Sequence, residues 1–373
     1  MRIESVEAIP VRIPLLPERR MVSAIGRQDV SEFALVRIRT EDGLEGVGEA
    51  TVTPRWSGET VWGAAAIVDR LFAPRLIGRD PRDVDGLERL LDSLTVGNPF
   101  AKSAIETACW DLAGRAAGVP VHVLLGGPCR PPTIRNRFSL GAYPADVAAE
   151  RAADLVSRGF DTIKVKVGTD PERDIARVRA VREAIGDSVS LTIDANGGWS
   201  EPEAMRCLRA LESCEIAWVE QPLPRGRYSA ARRLRDALGV RILADEDCFE
   251  ESDACELIEQ CCCDALSIYP GKNGGIARAR RIAELAASAG IPCTIGSNLE
   301  WDVGAAAMLQ LIAATPNLRI EEIPGDCLGP IYHELRIVRR PIEIAGPLAT
   351  LPEGPGLGVE VDWDLVERCR LRF

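Results

Sequence analysis

"LTIDANGGWSEPEAMRCLRALESCEIAWVEQPL", residues 191–223, contains one complete structural unit and the start of the next. LTID is a short apolar run that ends on Asp194, and AWVE is a second that ends on Glu220, 26 residues later. The stretch between them carries apolar residues at three- and four-residue spacings, the mark of an amphipathic helix. A strand, a helix and a second strand in so short a span are the building block of a parallel sheet.

The same alternation runs outward in both directions from residue 137 onward. Strand candidates are FSLG (138–141), TIKVKV (162–167), LTID (191–194), AWVE (217–220), ILAD (242–245), ALSIY (265–269), CTIG (293–296) and RIEE (319–322). Helical stretches such as PADVAAERAADLVSRG and GGIARARRIAELAASAG separate them, and several close on Gly, a helix-stop signal. Eight such units predict an α/β fold, a (β/α)8-type barrel (modified TIM barrel) over residues 126–345. A doubly wound open sheet is the alternative, but it rarely needs eight units this regular.

Residues 1–125 read differently. FALVRIRTEDGLEGVGEA puts Asp42-Gly43 between two strand-like runs, a hairpin signal, and NPFAKSAIETACWDLAGRAAG reads as a helix ending near Gly118. That order predicts a separate α+β domain ahead of the barrel. Residues 346–373, with GPGLGVEVDWDLVERCRLRF, are expected to leave the barrel and rejoin that first domain.

Composition narrows the function. The 373 residues include 45 Lys and Arg against 56 Asp and Glu, a net charge of −11, which disfavours nucleic acid. No apolar run approaches the roughly 18 residues of a membrane span, and the N-terminal stretch lacks a signal-peptide pattern. A cytoplasmic location is expected. Twelve cysteines are many, yet a chain of this size does not need a disulfide scaffold, and the consecutive Cys261, Cys262 and Cys263 do not have zinc-ribbon spacing.

The strands ending at Asp194, Glu220 and Asp245 each finish on a carboxylate, at intervals of one unit. In a barrel these positions are neighbours around the C-terminal rim, where barrel enzymes place their chemistry. One acid at a strand end reads as a helix cap or a solvated loop residue. Three in consecutive units repel one another unless a cation holds them, and oxygen-only ligands favour Mg2+, then Mn2+. One strand earlier, Lys164 and Lys166 share a face in TIKVKV. Alone such a pair is the wet face of a strand, but here that face looks into the same cavity. A nearby cation and a second ammonium are expected to lower a lysine's pKa and free it as a base. Metal plus amine is chemistry for removing a proton next to a carboxylate.

With these residues in view the chain resembles the enolase superfamily, in its mandelate racemase and muconate lactonising enzyme branch. The likeness covers essentially the whole chain: AKSAIETACWDLAGRAAGVPVHVLLGG, KVKVG, DANGGW, VEQPL, ADED, GKNGG, GSNLE and GPGLGVEVD. It implies Asp194, Glu220 and Asp245 as metal ligands, Lys166 as acid/base and Lys164 as its electrostatic helper. It also implies a capping domain whose loops near residues 15–30 and 51–59 close over the substrate, and Glu300 as a contact to the substrate carboxylate or to the site's hydrogen bonds.

One departure matters. Muconate lactonising enzymes and dipeptide epimerases resemble this chain but carry a second catalytic lysine at the end of strand six, where this sequence has Tyr269; either Tyr269 replaces that lysine as acid or hydrogen-bond donor, or Lys272 reaches back. Lys272 follows three residues later; a surface loop position and a catalytic role are both open to it. Mandelate racemase-like members use a His–Asp pair on strands seven and six. No His stands at either strand end here, only His122 and His333 elsewhere, so the muconate lactonising-type branch matches better. His333 is at most a substrate contact.

The expected function is a Mg2+-dependent enzyme that takes the α-proton of a small-molecule carboxylate through an enediolate. A cycloisomerase or syn-dehydratase is the first expectation. A racemase or epimerase of an amino-acid derivative, or a non-catalytic binding protein on the same fold, is the alternative. A Schiff-base aldolase on a barrel is a further one. Copies of the same chain are the expected protein partner, with no nucleic acid and no membrane.

Overall fold

The computed structural model describes residues 1–372. Its first part is a three-stranded antiparallel sheet, Ile3–Pro14, Val30–Thr40 and Glu45–Val52, with Val30–Thr40 in the middle. The hairpin turns at Asp42-Gly43, where Gly43 takes a φ of 83°. Against this sheet lies the helix Pro99–Ala117, closed by Gly118 in the left-handed conformation. The two approach so closely that a Cβ on Gly48 would stand 1.8 Å from the Ala104 carbonyl oxygen.

The second part is a curled parallel sheet of seven strands in sequential order. They are Phe138–Leu140, Thr162–Lys166, Ser190–Asp194, Trp218–Glu220, Ile242–Ala244, Ala265–Ile268 and Cys293–Ile295. Helices pack on its outer face, as a barrel requires. The eighth expected strand, RIEE, does not form. Residues 319–322 turn instead, and the sheet is bridged only by single parallel pairs, Leu318 to Cys293 and Gly325 to Asn136. Pro324 and the Arg319–Glu322 turn break the extended backbone that a ladder needs. The architecture is therefore a modified barrel with seven true strands.

The tail behaves in two ways. Leu348–Thr350 pairs with Thr133–Arg135 below the barrel, whereas Leu371 donates its amide to the Pro10 carbonyl and Arg370 pairs with Glu7 in the first domain. Among the described residues no helix is long and apolar enough to cross a membrane.

Two buried glutamates fasten the capping domain to the barrel. Glu49 accepts from the Trp301 and Gly304 amides at the start of the helix Asp302–Ala314. Glu106 accepts from the Ile276 and Ala277 amides at 2.8 Å each, at the start of Ile276–Ser288, and from Trp110 Nε1. Each carboxyl fills otherwise unsatisfied amides at a helix N-terminus across the domain boundary. Burial pushes Glu106 up to about 7 against the pull of those donors. Glu106→Gln turns an amide NH2 toward N–H donors and is expected to cost about 1–3 kcal/mol of stability. Because the folded-state pKa is raised, the carboxyl's contribution is complete below its ordinary value of 4.5 and declines as pH rises through about 7. The deficit should thus be larger at acid pH than at alkaline pH in urea unfolding. Equal midpoints for parent and variant throughout would remove this role.

Candidate active site

A cavity of about 430 Å3 opens at the C-terminal end of the parallel strands. Its roof comes from the capping domain, Met21 to Val30 on one side and Thr53 to Trp56 on the other, and its floor from the barrel. Strand register builds that floor: Lys166 pairs with Asp194, and Asp194 with Glu220. Lys164, Lys166, Asp194, Glu220 and Asp245 all line it. The two lysines share a face because residues alternate along a strand.

In this arrangement the ammonium groups lie among the acids. Lys166 Nζ is 2.5 Å from Asp194 Oδ2 and 2.9 Å from Asn196 Oδ1. Lys164 Nζ stands 3.2 Å from both Glu220 Oε2 and Asp326 Oδ2. Burial works against the Lys164 charge, but Glu220, Asp326 and Asp194 outweigh it and hold the pKa above its ordinary value. Burial also opposes the Asp194 charge, yet Lys166 and Lys164 draw its pKa down; at Glu220 burial wins and the pKa rises.

Several participants carry no signal in the strand pattern. Arg137, 1% exposed, donates from Nη2 to Glu220 Oε2 at 3.2 Å and from Nη1 of the same guanidinium to the Pro324 carbonyl. Asp326 reaches Lys164 from the irregular eighth position. Glu246, next to Asp245, accepts from Asn196 and from Trp56 Nε1. Burial and the neighbouring Asp245 and Asp194 push Glu246 up to about 8. Lys166, Asn196, Glu246 and Trp56 thereby join in one hydrogen-bonded chain from the barrel to the capping loop. The acid beside a ligand acid in ADED and the Asn of DAN were visible as residues, but their directions were not. Asn196 and Leu299, which line the cavity, and Gln221, next to Glu220, take φ values of 43°, 62° and 35°.

Three candidate site residues lie outside the cavity lining. Lys272 is no surface residue: it is 0% exposed, in the short turn of helix Pro270–Asn273. Its Nζ points below the rim and donates to Asp245 Oδ1, the Asp245 carbonyl and the Ser267 carbonyl, at 2.6, 2.8 and 2.6 Å. Tyr269 is also fully buried, stacked on Trp56 at 5.8 Å, with its hydroxyl enclosed and unpartnered. Burial, and after it Asp245 and Glu300, push the phenol well above its ordinary pKa. Neither lines the cavity. Glu300 does not line it either; its carboxylate accepts from Ser297 Oγ and the Asn298 amide and so shapes the wall. His333, offered as at most a substrate contact, is buried against Ser31, Phe33 and Trp301.

Among the described residues no three acid, His or Cys side chains converge, as placed, on a point that could hold a metal ion. Lysine nitrogens occupy the space between Asp194 and Glu220. The donor chemistry nevertheless suits a hard cation: oxygen atoms only, buried, at adjacent strand ends. Asp194, Glu220, Asp245, Glu246 and Asp326 face only Lys164, Lys166, Lys272 and Arg137 as counter-charges.

Comparison with known proteins shows the family. Residues 6–126 match the mandelate racemase/muconate lactonizing enzyme N-terminal domain, and residues 147–365 match the enolase C-terminal domain-like family. The chain belongs to the mandelate racemase/muconate lactonising enzyme family of the enolase superfamily. Within that family it is 34% identical over 363 residues to the hydrophobic dipeptide epimerase of Enterococcus faecalis, covering 96% of this chain and 99% of that one. The structure of 2-chloromuconate cycloisomerase from Rhodococcus opacus superposes with a TM-score of 0.95 at 33% identity, covering all of both chains. The E. faecalis dipeptide epimerase complexed with Mg and the dipeptide L-Leu-L-Tyr superposes with a TM-score of 0.90 at 33% identity, over 96% of this chain and 100% of that one. This family member is an enzyme related to both cycloisomerases and epimerases.

Proposed function

We propose that this enzyme removes the α-proton of a small carboxylate substrate with Lys166 as its single base, in a cycloisomerisation or a syn elimination. The observation that carries the reading is the state of Lys272. All three of its N–H donors are engaged, it is wholly buried, and it stays out of the cavity. Tyr269, at the position of the second lysine, keeps its proton. Neither candidate for a second base faces the cavity, and with the acids assigned to the cation and Lys164 to charge stabilisation, Lys166 is left as the base on one face of the reacting carbon.

Asp194, Glu220 and Asp245 are the residues that would hold Mg2+, or Mn2+ in second place, with Lys166 withdrawn from Asp194. Bound there, the ion supplies positive charge to the substrate carboxylate. Lys164 adds a fixed ammonium beside the same oxygens, favouring the negative charge that develops as the enediolate forms. Asn196 accepts a hydrogen bond from Lys166 and so aims its nitrogen. Arg137 anchors Glu220 from below, and Trp56 closes the cavity against water while Tyr269 backs its ring.

The second reading, an epimerase, is supported by the likeness to the E. faecalis enzyme, and it requires a second acid/base on the other face. Isotope exchange separates the two. A panel of acid sugars, amino-acid derivatives and muconates in D2O is followed by NMR, and both enantiomers of an accepted substrate are then compared. One-sided exchange is expected in the parent, and it should persist in Tyr269→Phe. Comparable exchange from both enantiomers, lost for one of them in Lys272→Ala, would establish two bases and an epimerase.

A further inference from the structure

A second cavity, about 220 Å3, lies outside the barrel between the capping-domain segment around Arg19 and the first barrel helix, Ala145–Ser157. Strand alternation creates it. Ser139 points into the barrel, where its hydroxyl meets Asp326, so Phe138 and Leu140 must point outward and form the cavity's apolar floor. Tyr332 stacks on Phe138 with ring centres 5.5 Å apart. The Arg19 guanidinium lies over both rings, 5.9 Å from Phe138 and 5.7 Å from Tyr332.

Arg19 Nη1 is closed off from solvent and has no hydrogen-bond partner. Burial of a guanidinium is unfavourable unless it is paired, and ring faces compensate only part of the lost hydration. Charge around the cavity also favours an anion. Arg19, Arg151 and Arg158 line it against Glu18 and Asp154, and Asp154 is already in contact with Arg158. The remaining demand is for one negative charge, presented by a body that can lie on an aromatic floor.

We propose that this cavity is a binding site for a small organic monoanion, a carboxylate carried on an aromatic or compact apolar body. The carboxylate would pair with Arg19 and the body would occupy the space over Phe138 and Tyr332. The site is separate from the catalytic cavity but shares Met21 and Ser139 with it as a common wall. An occupant there bears on Met21 and hence on the loop that roofs the reaction. The inference uses no step of the proposed reaction and stands or falls without it.

Isothermal titration in metal-free buffer with benzoate, acetate and benzyl alcohol provides the test. Acetate has the charge without the ring, and benzyl alcohol the ring without the charge. Benzoate should bind the parent saturably and more tightly than either. Arg19→Met, which keeps an apolar stem over the rings, should weaken benzoate by about ten-fold or more. Lys166→Ala should bind benzoate as the parent does, because the catalytic cavity is not involved. The proposal is overturned by absent saturation in the parent or by undiminished binding in Arg19→Met. It is also overturned by loss in Lys166→Ala, which would mean that benzoate enters the catalytic cavity as a substrate mimic.

Discussion

Replacing Lys166 by alanine is expected to reduce α-proton exchange by about a hundred- to ten-thousand-fold, the range in which a positioned base contributes. The expectation follows from position. Lys166 is the one amine that lines the cavity without being boxed in by several carboxylates, since its nitrogen meets Asp194 and the neutral Asn196. Lys164 sits deeper, among Glu220, Asp326 and Asp194, and holds its proton. Lys164→Ala should accordingly slow exchange through weaker charge stabilisation, with a smaller loss than Lys166→Ala. NMR exchange in D2O measures both variants, and circular dichroism checks that each is folded. Exchange at the parent rate in Lys166→Ala would place the base elsewhere, and the single-base reading would go with it.

Glu220→Gln is expected to weaken Mg2+ binding by at least about a hundred-fold, since even residues behind a metal ligand are worth ten- to a hundred-fold. Glu220 is 3% exposed and stands between Arg137 and Lys164; it pairs in register with Asp194, while its partner on the next strand is Leu243, two residues before Asp245. Gln preserves the volume and one acceptor but removes the charge. The parent should gain thermal stability with Mg2+, by about 2.7 kcal/mol at a concentration one hundred times the Kd, and the variant should gain almost none. Titration calorimetry gives the affinities directly. If the two proteins bound Mg2+ alike, the ion would have to be held by other acids, with Glu246 and Asp326 as the residues to replace next. The metal-free variant also leaves Arg137 and Lys164 sharing a neutral partner. Its basal unfolding midpoint should drop, which separates loss of a buried pair from loss of a ligand.

Much of this site was readable because two periodicities act together. Alternation along a strand puts Lys164 and Lys166 on one face, and the unit length of about 25 residues carries Asp194 and Glu220 to paired positions, whereas Glu220 pairs next with Leu243 and Asp245 follows two residues beyond it. Both follow from backbone geometry that does not depend on what packs around it. Asn196 and Glu246 adjoin named residues, yet whether a side chain one or two places past a strand points inward depends on the turn. There, strained φ values at Asn196 and Gln221 re-aim the chain. Lys272 shows the limit of counting. Its distance along the chain left it on a loop, but the Pro270–Asn273 turn folds it under the rim, where burial can be tolerated because three oxygens receive its protons.

The sequence by itself determined a parallel-strand barrel behind an α+β domain and the acids and lysines at its mouth. Those are consequences of local repeat, residue type and strand alternation. Only the tertiary structure decided that the eighth strand reduces to two bridges, and that Arg137 anchors Glu220 from beneath. It alone placed Tyr269 behind Trp56 and Glu300 in the wall, and left Arg19 Nη1 without a hydrogen-bond partner. Each of these is set by contacts between residues far apart in the chain, such as Trp56 with Glu246 and Arg137 with Glu220. Their energies depend on burial and on the final direction of each side chain, and neither exists until the two domains have packed together.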